Sequence, residues 1–84
     1  MTQKELDERV TIETGNGLYS MTYRQILADL SYLGIEMQHT GEYWKAIRYT
    51  DEGQYDVIWQ DSASEDAYDE KTAIPYVYNM IWTS

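Results

Sequence analysis

Two β-prone stretches, EYWKAIRYT (residues 42–50) and QYDVIWQD (54–61), flank Asp51-Glu52-Gly53, and their side chains decide how they can pair. A three-residue loop with Gly53 in the left-handed conformation sets Tyr49 against Tyr55, Arg48 against Asp56, Ile47 against Val57 and Lys45 against Trp59. Apolar side chains then meet apolar ones, and opposite charges meet. A two-residue loop would oppose Tyr49 to Asp56 and Arg48 to Val57, a charge against a hydrophobe at each rung. The expected centre of the fold is therefore an antiparallel hairpin over 42–61.

The rest of the chain is read around it. Thr2-x-x-Glu5 has capping-box form and predicts a short helix over residues 3–9, gripped only by Leu6 and Val10. VTIET (10–14) is β-branched and alternating, Gly15-Asn16-Gly17 is a turn, and LYSM (18–21) returns as a partner strand. A helix is predicted over residues 23–33, with Thr22 and Gln25 as its N-terminal box and Tyr23, Ile26, Leu27, Leu30 and Leu33 as one apolar stripe. Gly34 ends it in a left-handed cap, with Ile35 placed to touch Leu30. His39 reads as part of a Gln-His-Thr-Gly turn. Ser62-x-x-Glu65 is a cap for a short helix over 64–71, which Pro75 would stop. IPYVYNMIW (74–82) alternates and has the composition of a closing strand. Eighty-four residues make a single domain, 1–84. The expected class is α+β: an antiparallel sheet of about four or five strands with one main helix packed on a face.

Little in the chain carries covalent chemistry. There is no Cys and a single His, so neither a disulfide framework nor a thiolate or imidazole zinc site can form. No Ser stands in a nucleophile elbow, and Gly15-Asn16-Gly17 is too short to cradle a phosphate. An EF-hand loop starting at Asp61 fails, with Ala63 at its third position and Asp66 at its sixth. The acids lie in polar sequence, where nothing separates their pKa values for acid and base work. The expectation is no enzyme, no cofactor and no metal site. The charged N-terminal segment MTQKELDERV and the absence of a long apolar run make a cytoplasmic location the default, with no membrane contact.

Charge is the feature left to explain. The formal net charge is −9, and residues 51–70 alone hold Asp51, Glu52, Asp56, Asp61, Glu65, Asp66, Asp69 and Glu70 without one Lys or Arg. The remaining residues carry seven acids and six bases, so the molecule is close to neutral apart from one acidic segment. If 64–71 is helical, Glu65/Asp69 and Asp66/Glu70 form two rows with about 6 Å of rise in each. Like charges so spaced destabilise a helix by a few tenths of a kcal/mol per pair. An extended segment would space alternate carboxylates about 6.6 Å apart, and either spacing approximates that of phosphates along a nucleic-acid strand.

Small size, acidity, lack of Cys and richness in Tyr and Trp make the chain similar in type to the small inhibitor proteins of phages and mobile elements. These include DNA-mimicking anti-restriction proteins, uracil-DNA glycosylase inhibitors and anti-CRISPR proteins. The likeness is one of size and charge, carried mainly by residues 51–70, and no motif of one family aligns. It implies a non-enzymatic inhibitor whose eight acids mimic phosphates and occupy the basic groove of a nucleic-acid-binding protein, such as a CRISPR effector, restriction enzyme or repair enzyme, without direct contact to nucleic acid. A phage-encoded member would act in the host cytoplasm. The alternative is a protein–protein interaction adaptor that uses the hairpin edge and exposed Tyr and Trp, with the acids serving solubility.

Overall fold

The structure is a computed structural model and describes residues 1–41, 43–61 and 68–83. Its order is α1 (Gln3–Leu6), β1 (Arg9–Thr14), β2 (Gly17–Thr22), α2 (Tyr23–Tyr32), β3 (Ile35–Thr40), β4 (Tyr43–Tyr49), β5 (Tyr55–Gln60) and α3 (Glu70–Thr83). The class is α+β. The five strands divide into a β1–β2 hairpin and a three-stranded antiparallel sheet of order β3-β4-β5, so the expected single sheet is two.

Local signals behave as the side chains dictate at α2 and at both hairpins. Thr22 caps α2: its Oγ1 accepts from the Gln25 N–H at 3.2 Å, and Gln25 Oε1 accepts from the Thr22 N–H at 2.9 Å. Tyr23, Ile26 and Leu30 form the buried stripe. Gly34 follows the helix at φ +78, a conformation that costs a residue with a Cβ about 1 kcal/mol or more, and its N–H reaches the Ser31 carbonyl at 3.0 Å. Leu33 is the C-cap rather than part of the stripe. The capping box at Thr2 and Glu5 forms, but α1 ends at Leu6 because the chain turns into β1 at Arg9.

Four further expectations are corrected. Residues 35–40 form a strand, so His39 is not in a turn; it pairs with Trp44, their ring centroids 4.9 Å apart, and the reversal follows at Gly41 with φ +64. In the central hairpin the rungs Tyr49/Tyr55, Arg48/Asp56 and Ile47/Val57 form, but a bulge after Ile47/Val57 sets Trp59 against Ala46 and Gln60 against Lys45. The extra residue, Ile58, lets two successive side chains, Ile58 and Trp59, pack toward the core.

The other two corrections concern α3. Tyr68 and Asp69 are not helical and α3 starts at Glu70, so the expected helix over 64–71 fails at 68–69, while residues 64–67 and the Ser62-x-x-Glu65 cap lie outside the described residues. Residues 70–83 form a helix straight through Pro75, where a strand was expected. Its buried positions, Ala73, Ile74, Val77 and Tyr78, have helical spacing, and Ile81 continues the stripe. Proline cannot donate to the Lys71 carbonyl four residues back, a loss that ordinarily disfavours it inside a helix. Here the Tyr23 hydroxyl donates to that carbonyl at 2.9 Å, so the orphaned acceptor is satisfied by α2.

Helix α3 packs on β1, α2 and β4. The core joins Ile12 of β1, Tyr23, Ile26 and Leu30 of α2, Ile35 of β3, Ala46 of β4 and Ile74, Val77 and Tyr78 of α3. Burying a side chain such as Ile74 or Val77 stabilises by about 1.5–3 kcal/mol, which explains how packing overrides β propensity in this segment.

Candidate protein-binding surface

The β4–β5 hairpin presents the surface. Its loop is closed by the Thr50 N–H donating to the Gln54 carbonyl at 2.8 Å and the Gly53 N–H to the Thr50 carbonyl at 3.1 Å, with Gly53 at φ +81. This fixes Asp51 and Glu52 at the tip. One face of the three-stranded sheet, bearing Ile35, Met37, Ala46 and Trp59, meets the core. The opposite face carries Glu36, Ile47, Tyr49, Tyr55 and Val57, and among the described residues no helix packs on it.

That open face has a built centre. Ile47 is 1% exposed, whereas Tyr49, Tyr55 and Val57 are each about half exposed. Tyr49 and Tyr55 meet edge-on with ring centroids 6.4 Å apart, and the Tyr49 hydroxyl donates to Glu36 Oε2 at 2.7 Å. The Glu36 hydrogen bond, ahead of desolvation, raises the Tyr49 pKa above its ordinary value. Tyr49 is thus anchored at both its hydroxyl and its ring edge, which restricts the side-chain freedom of an exposed aromatic. Among the described residues β5 is also an edge strand, the kind of element that can recruit a further strand in β-augmentation.

The eight acids do not form one patch. Asp51 and Glu52 stand at the hairpin tip, and Asp56 lies on β5 opposite Arg48; none of the three carboxylates has a hydrogen-bond or ion-pair partner among the described residues. Asp61 lies beyond the other end of β5, roughly 17 Å of strand away. Its carboxylate accepts from the Tyr68 N–H at 2.6 Å. Asp69 caps α3, its Oδ1 accepting from the Thr72 N–H at 2.8 Å, and hydrogen bonding by Thr72 lowers the Asp69 pKa below its ordinary value. Glu70 Oε1 lies 3.2 Å from the Met1 amino group. Glu65 and Asp66 lie outside the described residues. Lys71, directly after the acidic run, is bridged to Glu8 at 2.9 Å and Glu5 at 3.5 Å.

Several aromatics are structural. Trp59, Tyr68 and Tyr76 form a cluster with centroid separations of 5.2–5.8 Å, tying β5 to α3. The edge-on Tyr49/Tyr55 pair was legible as a rung of the hairpin. Tyr78 and Trp82, which share a cleft with Tyr19, were missed because their i,i+4 relation exists only in a helix.

No group of three or more His, Asp or Glu among the described residues is placed to hold a metal ion, and no described helix is long and apolar enough to cross a membrane. No protein-family model matches the chain, and neither a curated protein nor a solved structure is similar to it.

Proposed function

We propose that the protein is a non-enzymatic binder that docks through its β4–β5 hairpin onto a basic, nucleic-acid-handling protein and inhibits it by occupying the groove meant for DNA or RNA. The observation that carries this reading is the pair of tip carboxylates, Asp51 and Glu52, unpartnered among the described residues, beside the half-exposed Tyr49, Tyr55 and Val57 of the open face; Asp56, likewise unpartnered there, projects from the other face of β5 opposite Arg48. Aromatic anchors rimmed by charge are the usual anatomy of a binding hot spot, and the charge steers a basic partner toward it. Asp61, Asp69 and Glu70 remain acidic while doing local work, so they add to the long-range field more than to the contact. The site of action is the cytoplasm, that of the host if the protein is phage-encoded.

A second reading, an adaptor in which the acids serve only solubility, is favoured by the same Tyr49, Tyr55 and Val57 patch, since aromatic contacts need no charge. Salt separates the two. Capture of partners from host lysate, followed by titration at two ionic strengths, should show affinity for a nucleic-acid-handling protein falling steeply with salt. Asp51→Asn/Glu52→Gln/Asp56→Asn should abolish the salt dependence and most of the inhibition. Salt-independent binding that this variant retains, but Tyr55→Ala loses, would establish the adaptor instead.

A further inference from the structure

On the other side of α3 from the Trp59 cluster, a cleft of about 520 Å³ opens between β2, α2 and α3. Tyr19 and Met21 line it from β2, Gln25 and Asp29 from α2, and Tyr78 and Trp82 from α3. Its size is that of a ligand site rather than a packing defect. Tyr19 and Trp82 are each about half exposed, with their aromatic surface available, and the Tyr78 and Trp82 ring centroids are 6.0 Å apart. The Tyr78 hydroxyl donates to Asp29 Oδ2 at 2.6 Å, which orients the carboxylate. Burial first, and then this hydrogen bond, raises the Tyr78 pKa above its ordinary value, so the phenol stays a neutral donor.

Among the described residues no ion pair reaches that carboxylate. None of the lining residues is basic. Arg24, on the same helix, is held by Asp7 at 3.2 Å and Gln3 at 2.7 Å. Arg9 pairs with Thr22 on the hairpin face opposite Tyr19 and Met21, and its Nη1 is engaged at the cleft's rim by Ser20, a lining residue, donating to the carbonyl at 3.4 Å and to Oγ at 3.5 Å, rather than by Asp29. Aromatic faces beside an oriented, unpaired carboxylate make a receptor for a planar cation, which can stack on a ring while its N–H groups reach the carboxylate. We infer that the cleft formed by Tyr19, Asp29, Tyr78 and Trp82 is a binding site for the guanidinium group of an arginine side chain in a partner polypeptide. The site stands apart from the hairpin surface and does not depend on it.

The test is an NMR titration of the intact chain, read at the Trp82 indole N–H and the Tyr19 and Asp29 amides, with the Trp44 and Trp59 indoles as internal controls. The probes are arginine, lysine and citrulline, each blocked as the N-acetyl amide. Blocked arginine should give saturable shifts confined to the cleft, with millimolar affinity, as befits a single side chain in an open site. Blocked citrulline, isosteric but neutral, should bind at least about tenfold more weakly, and lysine should fall between them. Asp29→Asn should weaken arginine binding about tenfold, and Tyr19→Ala, at a half-exposed position, provides a second variant if the first disturbs folding. Asp51→Asn/Glu52→Gln/Asp56→Asn should leave this affinity within about twofold, because its charges are remote and screened. Absence of saturable shifts, equal binding of citrulline or lysine, or an equal loss in the hairpin variant would each overturn the assignment. None of these results bears on the hairpin reading, which the partner titration tests separately.

Discussion

The two ends of the acidic segment have the same composition and opposite physical situations. At the β4–β5 tip, Asp51, Glu52 and Asp56 are exposed and hold nothing in place among the described residues. At the start of α3, Asp69 satisfies a helix N–H, Glu70 meets the Met1 amino group, and Asp61 holds the Tyr68 amide. An acid that accepts from a backbone donor contributes to folding; one that faces water only adds to the field. Net charge is therefore a poor guide to a binding site until each carboxylate's neighbours are known.

The largest effects should come from the α3 end. Tyr23→Phe leaves the Lys71 carbonyl, already deprived of a donor by Pro75, without a partner, and should destabilise the fold by about 1–3 kcal/mol in denaturant titration. Pro75→Ala restores an N–H at that position, so the cost of Tyr23→Phe should shrink markedly in its background. A double-mutant cycle showing additive costs would remove the explanation for Pro75.

Next in size is the cap. Asp69→Ala should cost about 1 kcal/mol, and with Asp69 present stability should have an acid limb. The sign follows from the lowered pKa: the folded state binds the proton less readily than the unfolded chain, so this contribution is complete above the ordinary carboxylate range and is lost as pH falls through the folded value. Denaturation midpoints measured from pH 6 to about 2.5 should therefore converge for the parent and Asp69→Ala, as the parent's cap is protonated.

The smallest stability change should be at the hairpin tip. Asp51→Asn/Glu52→Gln/Asp56→Asn should alter stability by no more than about 0.5 kcal/mol in either direction, the usual range for exposed sites without partners. A loss comparable to that of Asp69→Ala would show that the two ends do not differ after all.

The hairpin and α2 were legible because their determinants are close in sequence. A three-residue loop with Gly53 aligns Tyr49 with Tyr55 and Ile47 with Val57, and Thr22 and Gln25 mark a helix start within one turn. The candidate surface was legible to the same extent: Tyr49, Tyr55 and Asp56 are rungs of that ladder. The bulge escaped this reasoning because strict alternation cannot place Ile58 and Trp59 on the same side of the strand, and the aromatic cluster with Tyr68 and Tyr76 that receives Trp59 lies beyond the hairpin. Strand β3 escaped because its partner, β4, supplies the pairing that IEMQHT does not advertise by composition.

By itself, the amino-acid sequence determined an α+β domain, the loop and inner rungs of its central hairpin, the cap and stop of its main helix, and the concentration of acids in 51–70. Tertiary structure alone decided which acids are free, and whether residues 70–83 are strand or helix. The apolar stripe from Ala73 to Ile81 needed β1, α2 and β4 around it, and Pro75 needed a donor for Lys71 that no neighbouring residue provides. That donor is Tyr23, forty-eight residues earlier, so a local rule against proline was overturned by a hydrogen bond that exists only once the chain has folded.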